Sequence, residues 1–394
     1  LEIRFFIFED ITNKGKNAMR KNFRNKSIND TFKEANCSAV VVGASLSGLM
    51  TGIALSRAGL KVTILERAGA KPRSGAVLQV DSGEIDRTKT AKFLRKLASG
   101  GIRSAEAWSS IQFRLRTEVE ADSRIDLRYD TRVQTVNQDD NCAWVETDKG
   151  ETFHGDILIG ADGHRSIVRR YVSPHKPNAT FAGYLIWVAI VDEKDIPEKH
   201  RPSLNAPKFT MPDGIGDFLL GSIIAGADGS TALGDRRLGW AWYDNTQNDL
   251  LRRLGCVEGD VVQHSLHSPD IPEQTLIELA EKASDRWAQP WLDAILHSIQ
   301  TRNLIGTPIA EYVPENLVKG RIAIVGDAAH LPTPLTASGF NASLQDASTL
   351  AECVAKGIQG TGASEALLEY ESLRLKNARQ IVQSGQSFSQ SFGR

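Results

Sequence analysis

Ala39-Val40-Val41-Val42-Gly43-Ala44-Ser45-Leu46-Ser47-Gly48-Leu49-Met50 is the stretch that decides the fold. Its opening residues are continuously apolar, the density of a strand buried on both faces. Gly43 to Gly48 read as a tight turn, and the residues from Leu49 onward as the helix it opens, closed near Gly59. Lys61-Val62-Thr63-Ile64-Leu65-Glu66 then returns as a second strand. Strand, turn, helix and strand between Ser38 and Glu66 make a βαβ unit, so the two strands run parallel.

The turn has the spacing G-x-S-x-x-G, one residue away from the G-x-G-x-x-G that lets backbone approach a pyrophosphate. Gly43 supports the tight turn and Gly48 the close packing of helix on strand. Ser45 replaces the second glycine with a small side chain that adds a hydroxyl donor. Leu46 and Ser47 lie where a helix start offers unpaired N–H groups to phosphate oxygens. Glu66 ends the second strand, where a carboxylate accepts hydrogen bonds from an adenosine ribose and repels a 2'-phosphate. Arg67 follows, beside the adenine or its phosphate. Together these residues read as a dinucleotide site, and the turn alone leaves FAD and NAD open.

Working outward, residues 68–104 are rich in Gly, Lys, Arg and Ser around a short apolar patch at 76–80. Residues 106–121 look helical, and strand-like pieces follow to Gly160, the last running into Ala161-Asp162-Gly163. From 180 to 245 the pattern is again strand-like, and it carries Tyr184, Trp187, Phe218, Trp240 and Trp242 as a candidate aromatic wall. Helices are expected at 276–283, 290–300, 343–359 and from 363 to 385 or beyond. A buried strand is expected at 320–326.

Bulk properties narrow the class. The chain has 394 residues, 41% hydrophobic and 24% charged, which suits a folded globular protein. A formal net charge of -1 gives no general reason to expect nucleic-acid binding. No apolar run approaches the ~20 residues of a membrane span, and the start lacks the features of a secretory signal. Cys37, Cys142, Cys256 and Cys353 form no CxxC pair and read as reduced thiols. No compact metal-ligand motif is found. The expectation is a soluble, cytoplasmic protein.

Two later motifs complete the reading. The first is Asp156-Ile157-Leu158-Ile159-Gly160-Ala161-Asp162-Gly163-His164-Arg165-Ser166, with Arg169 after it. The second is Gly320-Arg321 through Gly326-Asp327-Ala328-Ala329-His330, followed by Pro332 and Pro334. With the turn at Gly43, these make the chain resemble the class A flavoprotein aromatic hydroxylases, single-component FAD-dependent monooxygenases. In wording it is most similar to the 2,6-dihydroxypyridine 3-hydroxylase branch, which shares the GxSxxG turn.

The resemblance implies an α/β fold, a Rossmann-type FAD-binding domain with a sheet-containing substrate domain. The body would comprise 37–67, 103–179 and 301–394 with the C-terminal helices. The substrate domain would comprise 68–102 and 180–300, and 1–36 would be an N-terminal extension. Non-covalent FAD would meet Asp162, Gly326 and Asp327. Pro334, Ala337, Ser338, Gly339, Phe340 and Asn341 would border the ring together with Thr333. Arg103 would lie close to FAD, and Val133 would contact adenine through its backbone.

The implied reaction is hydroxylation of a small hydroxylated aromatic or pyridine-like ring. NADH or NADPH would be the transient reductant and O2 the oxidant, through a flavin C4a-hydroperoxide. His330 and Tyr184 are the candidate catalytic bases, and a homodimer is implied by the resemblance alone. The alternatives are a flavoprotein oxidase or dehydrogenase, and an FAD-binding interaction protein. In one respect the chain departs from the family. Fewer residues than usual separate Glu66 from Asp162, with the shortage in 68–102.

Overall fold

The computed structural model describes residues 37–71, 76–80, 86–100, 105–203, 208–210 and 217–393, the short stretch 208–210 by its backbone alone. The expected extension 1–36 and Arg103 lie outside these residues.

Along the chain the elements are β1 (Ser38–Val42), α1 (Leu46–Arg57), β2 (Lys61–Leu65), β3 (Val77–Gln79), α2 (Lys89–Ser99), β4 (Ala105–Ala107), α3 (Trp108–Ala121) and β5 (Ile125–Arg128). Then come β6 (Val133–Gln138), β7 (Ala143–Thr147), β8 (Thr152–Gly155), β9 (Ile157–Gly160), α4 (Ile167–Val172), β10 (Thr180–Asp192), β11 (Lys208–Thr210), β12 (Asp217–Ile224) and β13 (Arg237–Asp244). The remainder is α5 (Asn248–Arg253), β14 (Val257–Glu258), β15 (Val261–Val262), β16 (Leu266–His267), α6 (Glu273–Arg286), α7 (Trp291–Gln300), β17 (Ile305–Glu311), β18 (Val318–Lys319), β19 (Ile322–Ile324), α8 (Gly339–Val354) and α9 (Gly362–Phe392).

The βαβ unit stands as its sequence requires. Val40 pairs with Thr63 across parallel β1 and β2, and Val41 pairs with Ile159 across parallel β1 and β9. The sheet order is β18-β19-β9-β1-β2-β5, with only the edge strand β18 antiparallel to its neighbour. Its central strands β1, β9 and β19 are buried on both faces, with α1 packed on β1 and β2, α4 on β9 and β19, and β7 and β8 against β9 and β1. A side chain at Gly52 would collide with Ile64, so α1 sits directly on the sheet.

The second sheet is antiparallel, in the order β11-β12-β13-β10-β17-β16. One face packs Leu185, Trp187, Leu219, Trp240 and Trp242 against Leu276, Leu279, Trp287, Trp291 and Ile295 of α6 and α7. The other gathers Tyr184, Ile186, Phe218, Tyr243 and Ile309 beside Leu335, Phe388 and Phe392. Two carboxylates buried at the edge of the α6 layer are fully satisfied. Asp244 accepts from Trp187 Nε1 at 3.2 Å, Asp217 accepts from Trp242 Nε1 at 3.2 Å, and Lys282 and Arg286 supply the charge.

Two expected boundaries are corrected. Ala91, Leu94 and Ala98 of α2 belong to the body's core, so 68–102 is not a block of the substrate domain. Its described residues instead supply β3, which pairs antiparallel with β4, and the helix α2 laid on the body. Conversely, β17 lies within 301–394 yet pairs with β10 in the second sheet, because Thr307 aligns with Ile186 there.

Candidate dinucleotide site

The three motifs occupy the C-terminal ends of three adjacent parallel strands, β1, β9 and β19, where ligands of open α/β sheets bind. Hydrogen bonds knit them together. Gly43 N donates to Leu65 O at 2.8 Å, Ala161 N to Val42 O at 2.8 Å and Val325 N to Gly160 O at 2.9 Å. The turns touch as closely as backbone allows. A Cβ on Gly48 would lie 1.8 Å from Gly43 O, and one on Gly326 would lie 2.4 Å from Ser47 Oγ and 3.1 Å from Ser343 Oγ. The first turns of α1 and α8 therefore meet at Gly326.

The glycine-rich turn is prepared for a phosphate. Ser45 is the N-cap of α1, yet its exposed side chain makes no capping bond. Ser47 Oγ is buried without a hydrogen-bond partner among the described residues. The first turn of α1 carries no acidic residue, so its positive end is not neutralised. Leu46 is buried in the core and offers only its backbone. Glu66 is 6% exposed and takes Ala44 N and Ala68 N on its two oxygens, each at 2.9 Å. It is thereby fixed at the mouth of the turn, with exposed Arg67 beside it. Thr131 N donates to Glu66 O at 2.9 Å, which brings the start of β6, Val133, to the same end of the sheet.

The other two turns carry one aspartate each, with different tasks. Asp162 caps α4, accepting from Ile167 N at 2.7 Å and from the Ser166 hydroxyl. Burial pushes its carboxyl up against those bonds. Asp327 is exposed, yet the protein around it strips solvent from its carboxyl and raises it, against the pull of His330 and Arg169. Arg169 staples the two turns. Its guanidinium donates to His164 O on one side and to Asp327 O and Ala328 O, each at 3.3 Å, on the other.

Pro334 and Ala337 are exposed, Ser338 and Gly339 are partly so, and Ala337 has a φ of 50°. Among the described residues, only Pro332 Cγ, at 3.9 Å, would approach a Cβ on Gly339 at the start of α8. This stretch thus presents backbone and a helix start to open space. Phe340 and Asn341 turn inward instead: Phe340 joins the body's core, and Asn341 Oδ1 accepts from Arg95 Nη2 at 2.5 Å.

Both candidate bases are corrected. His330 is fully buried, its Nε2 bonded to Asp346 at 2.6 Å. Tyr184 is fully buried, its hydroxyl bonded to Thr333 Oγ1 at 2.6 Å, and burial raises its pKa. His330 Nδ1 is buried without a hydrogen-bond partner among the described residues. The aromatic wall is corrected too, because Trp187, Trp240 and Trp242 face α6 and α7, while Phe218 is buried on the opposite face.

Sequence reasoning missed the hub beneath the site. Asp346 on α8 accepts from Gly326 N at 3.0 Å, His330 Nε2 at 2.6 Å and Arg374 Nε at 2.8 Å, all in the interior. Burial opposes its charge, but His330 and Arg374 outweigh that and hold the carboxyl well below the usual range. The sequence offered little signal, since α8 also carries Asn341, Gln345 and a second acid, Glu352.

An orphaned buried hydroxyl and glycines with no room for a side chain fit a pyrophosphate-bearing dinucleotide. The FAD binding domain family profile matches residues 36–90 and 199–385, more than half of the chain. The chain belongs to this family of FAD-binding proteins, that of the class A flavoprotein monooxygenases. It is 27% identical over 344 residues to a 2,6-dihydroxypyridine 3-monooxygenase of Paenarthrobacter nicotinovorans, covering 80% of this chain and 82% of the relative. It is also 27% identical over 376 residues to a 3-hydroxybenzoate 6-hydroxylase of Klebsiella oxytoca, covering 87% and 86%.

Among solved structures, 2,6-dihydroxypyridine-3-hydroxylase from Arthrobacter nicotinovorans superimposes with a TM-score of 0.73 at 21% identity, covering 91% of this chain and 93% of that one. Klebsiella pneumoniae HpxO complexed with FAD and uric acid gives 0.65 at 19% identity, covering 91% and 90%. These likenesses confirm the α/β fold with an FAD-binding region and a sheet-rich second domain. The protein is an FAD-binding oxidoreductase of the monooxygenase type. Among the described residues, no helix is long and apolar enough to cross a membrane.

Proposed function

We propose that the protein hydroxylates a small, electron-rich aromatic or pyridine-like ring, using NADH or NADPH and O2. The observation that carries this reading is the junction of the site with the second sheet. Thr333 bonds Tyr184 of β10, and Leu335 packs into the same sheet face, so the stretch that would border the flavin abuts that face. Bound FAD supplies two-electron redox chemistry and the activation of O2.

The chain's own residues hold and dry that chemistry. The start of α1, with Ser45 and Ser47, binds the pyrophosphate, and Glu66 takes the adenosine ribose. Asp327 meets the ribityl chain or pyrophosphate, and Pro334, Ala337, Ser338 and Gly339 border the ring. The start of α8, with no acid in its first turn, favours negative charge on the nearby ring oxygen. Val188, Leu220 and Ala241 give the substrate side an apolar floor that excludes water.

The test is substrate-stimulated oxidation of NADH or NADPH by FAD-loaded protein under labelled O2. The expected product is a hydroxylated ring carrying one labelled oxygen. Efficient turnover of an amine or alcohol without label would move the assignment to an oxidase.

A further inference from the structure

On the face of the second sheet toward the flavin stretch, side chains fall into rows across the strands. Thr307, Ile186, Tyr243 and Phe218 form one row, Ile305, Val188, Ala241 and Leu220 the next, and Ile190, Gly239 and Ser222 the third. The first row is closed over its centre, where Ile186, Tyr243 and Phe218 are at most 3% exposed. Phe388 and Phe392, at the end of α9, stand edge-on to Phe218 with ring centroids 5.6 and 5.4 Å away. The third row is closed by the β3–β4 hairpin, since a Cβ on Gly239 would lie 2.2 Å from Val77 Cγ2. In the middle row Ile305, Val188, Ala241 and Leu220 are all partly exposed.

We infer that this middle row is the floor of a transverse slot, and that Phe388 and Phe392 are its specificity-determining end wall, limiting the ligand to one ring's width. The inference rests on the proposed hydroxylation and adds which residues choose its substrate. Four residues separate Tyr243 from Gly239, about 13–14 Å of strand. Van der Waals contact at each wall takes about 3.5–4 Å. Roughly 6 Å is left for the ligand's own nuclei along the strands. That holds one six-membered ring with a substituent and falls short of a substituted fused pair lying in this direction.

The wall is fixed rather than loose. Phe388 and Phe392 stack on each other at 5.2 Å and are both partly exposed, so they have a free side to present. Ser389 Oγ between them donates to Glu311 Oε1 at 2.6 Å, and Asn245 Nδ2 donates to Phe392 O at 2.7 Å. The backbone that carries the two rings is thus tied to β17 and to the end of β13.

The experiment is equilibrium binding of 2-hydroxypyridine and 2-hydroxyquinoline to FAD-loaded protein, read by perturbation of flavin absorbance, for wild type, Phe388→Ala and Phe392→Ala. Phe388→Leu and Phe392→Leu keep the core filled if the alanine variants lose FAD. The expected result is a shift of about tenfold in the affinity ratio toward the two-ring ligand, graded from leucine to alanine, with FAD affinity unchanged. An unchanged ratio in all folded variants overturns the wall, as does failure of the two-ring ligand to bind any of them. Binding is read without turnover, so a wild type that discriminates by size but incorporates no labelled oxygen fails the hydroxylation reading and leaves the wall standing.

Discussion

The two sheets bury their charges in opposite ways. In the second sheet, Asp217 and Asp244 are satisfied by side chains, two tryptophan N–H groups and the cations of α6. In the first, Glu66 and Asp346 hold backbone amides of the ligand turns, at Ala44, Ala68 and Gly326. The first arrangement cements a layer, whereas the second shapes a loop whose free groups serve a ligand.

The comparison breaks most severely at Gly48. Gly48→Val puts a branched side chain where even Cβ would stand 1.8 Å from a carbonyl oxygen. A loss of at least about 4 kcal/mol and no recoverable flavoprotein are expected, measured by thermal unfolding and released FAD. A folded, yellow variant would show that the turn can open.

The next effect sharpens the contrast between two aspartates. Asp346→Ala leaves Arg374 and His330 without their buried partner and should cost about 3–5 kcal/mol. Asp327→Ala removes an accessible group and should leave the apoprotein within about 1 kcal/mol of wild type. FAD titration of the folded Asp327 variant should show at least about tenfold weaker binding. Titration with denaturant unfolding separates affinity from folding. Equal unfolding midpoints would remove Asp346 from the centre of the site.

A further effect is one of pH. Burial first, then Arg169, Arg165 and Arg67, lowers the His164 pKa from 6.5 to about 4. Its folded value lies below its unfolded one, so the unfolded chain binds the extra proton between those values. Its contribution is complete above pH 6.5 and is lost as pH falls toward 4, up to roughly 3 kcal/mol. His164→Asn should remove that part of the acid sensitivity in urea unfolding. An identical pH profile would show that the ring is solvated in the folded state.

Much of the first sheet could be read in the chain because its ligand turns are local. Gly43, Ser45 and Glu66 sit within one βαβ unit, and spacing alone relates them. The second sheet was legible as strands but not as faces. Both of its faces are largely apolar and covered, so alternation does not tell Trp187 from Ile186. Asp346 escaped because its partners come from residues 326, 330 and 374, across two helices and a turn. His330 passed for a base because a sequence does not display burial.

A last consequence concerns α9. Its buried residues Ala363, Ala366, Leu367, Tyr370, Arg374, Ala378, Val382, Gly385 and Ser389 form one seam, at intervals of three and four save for the adjacent Ala366 and Leu367. Arg374 on that seam meets Asp346 beneath the dinucleotide turn, and Ser389 meets Glu311 beside the second sheet. A helix advances about 100° per residue, so these two contacts lie about 60° apart around the same side of the helix. Insertion or deletion of one residue between them would leave the upstream grip intact and swing Phe388 and Phe392 about a quarter turn away. The number of residues between the two contacts therefore sets where the two rings stand.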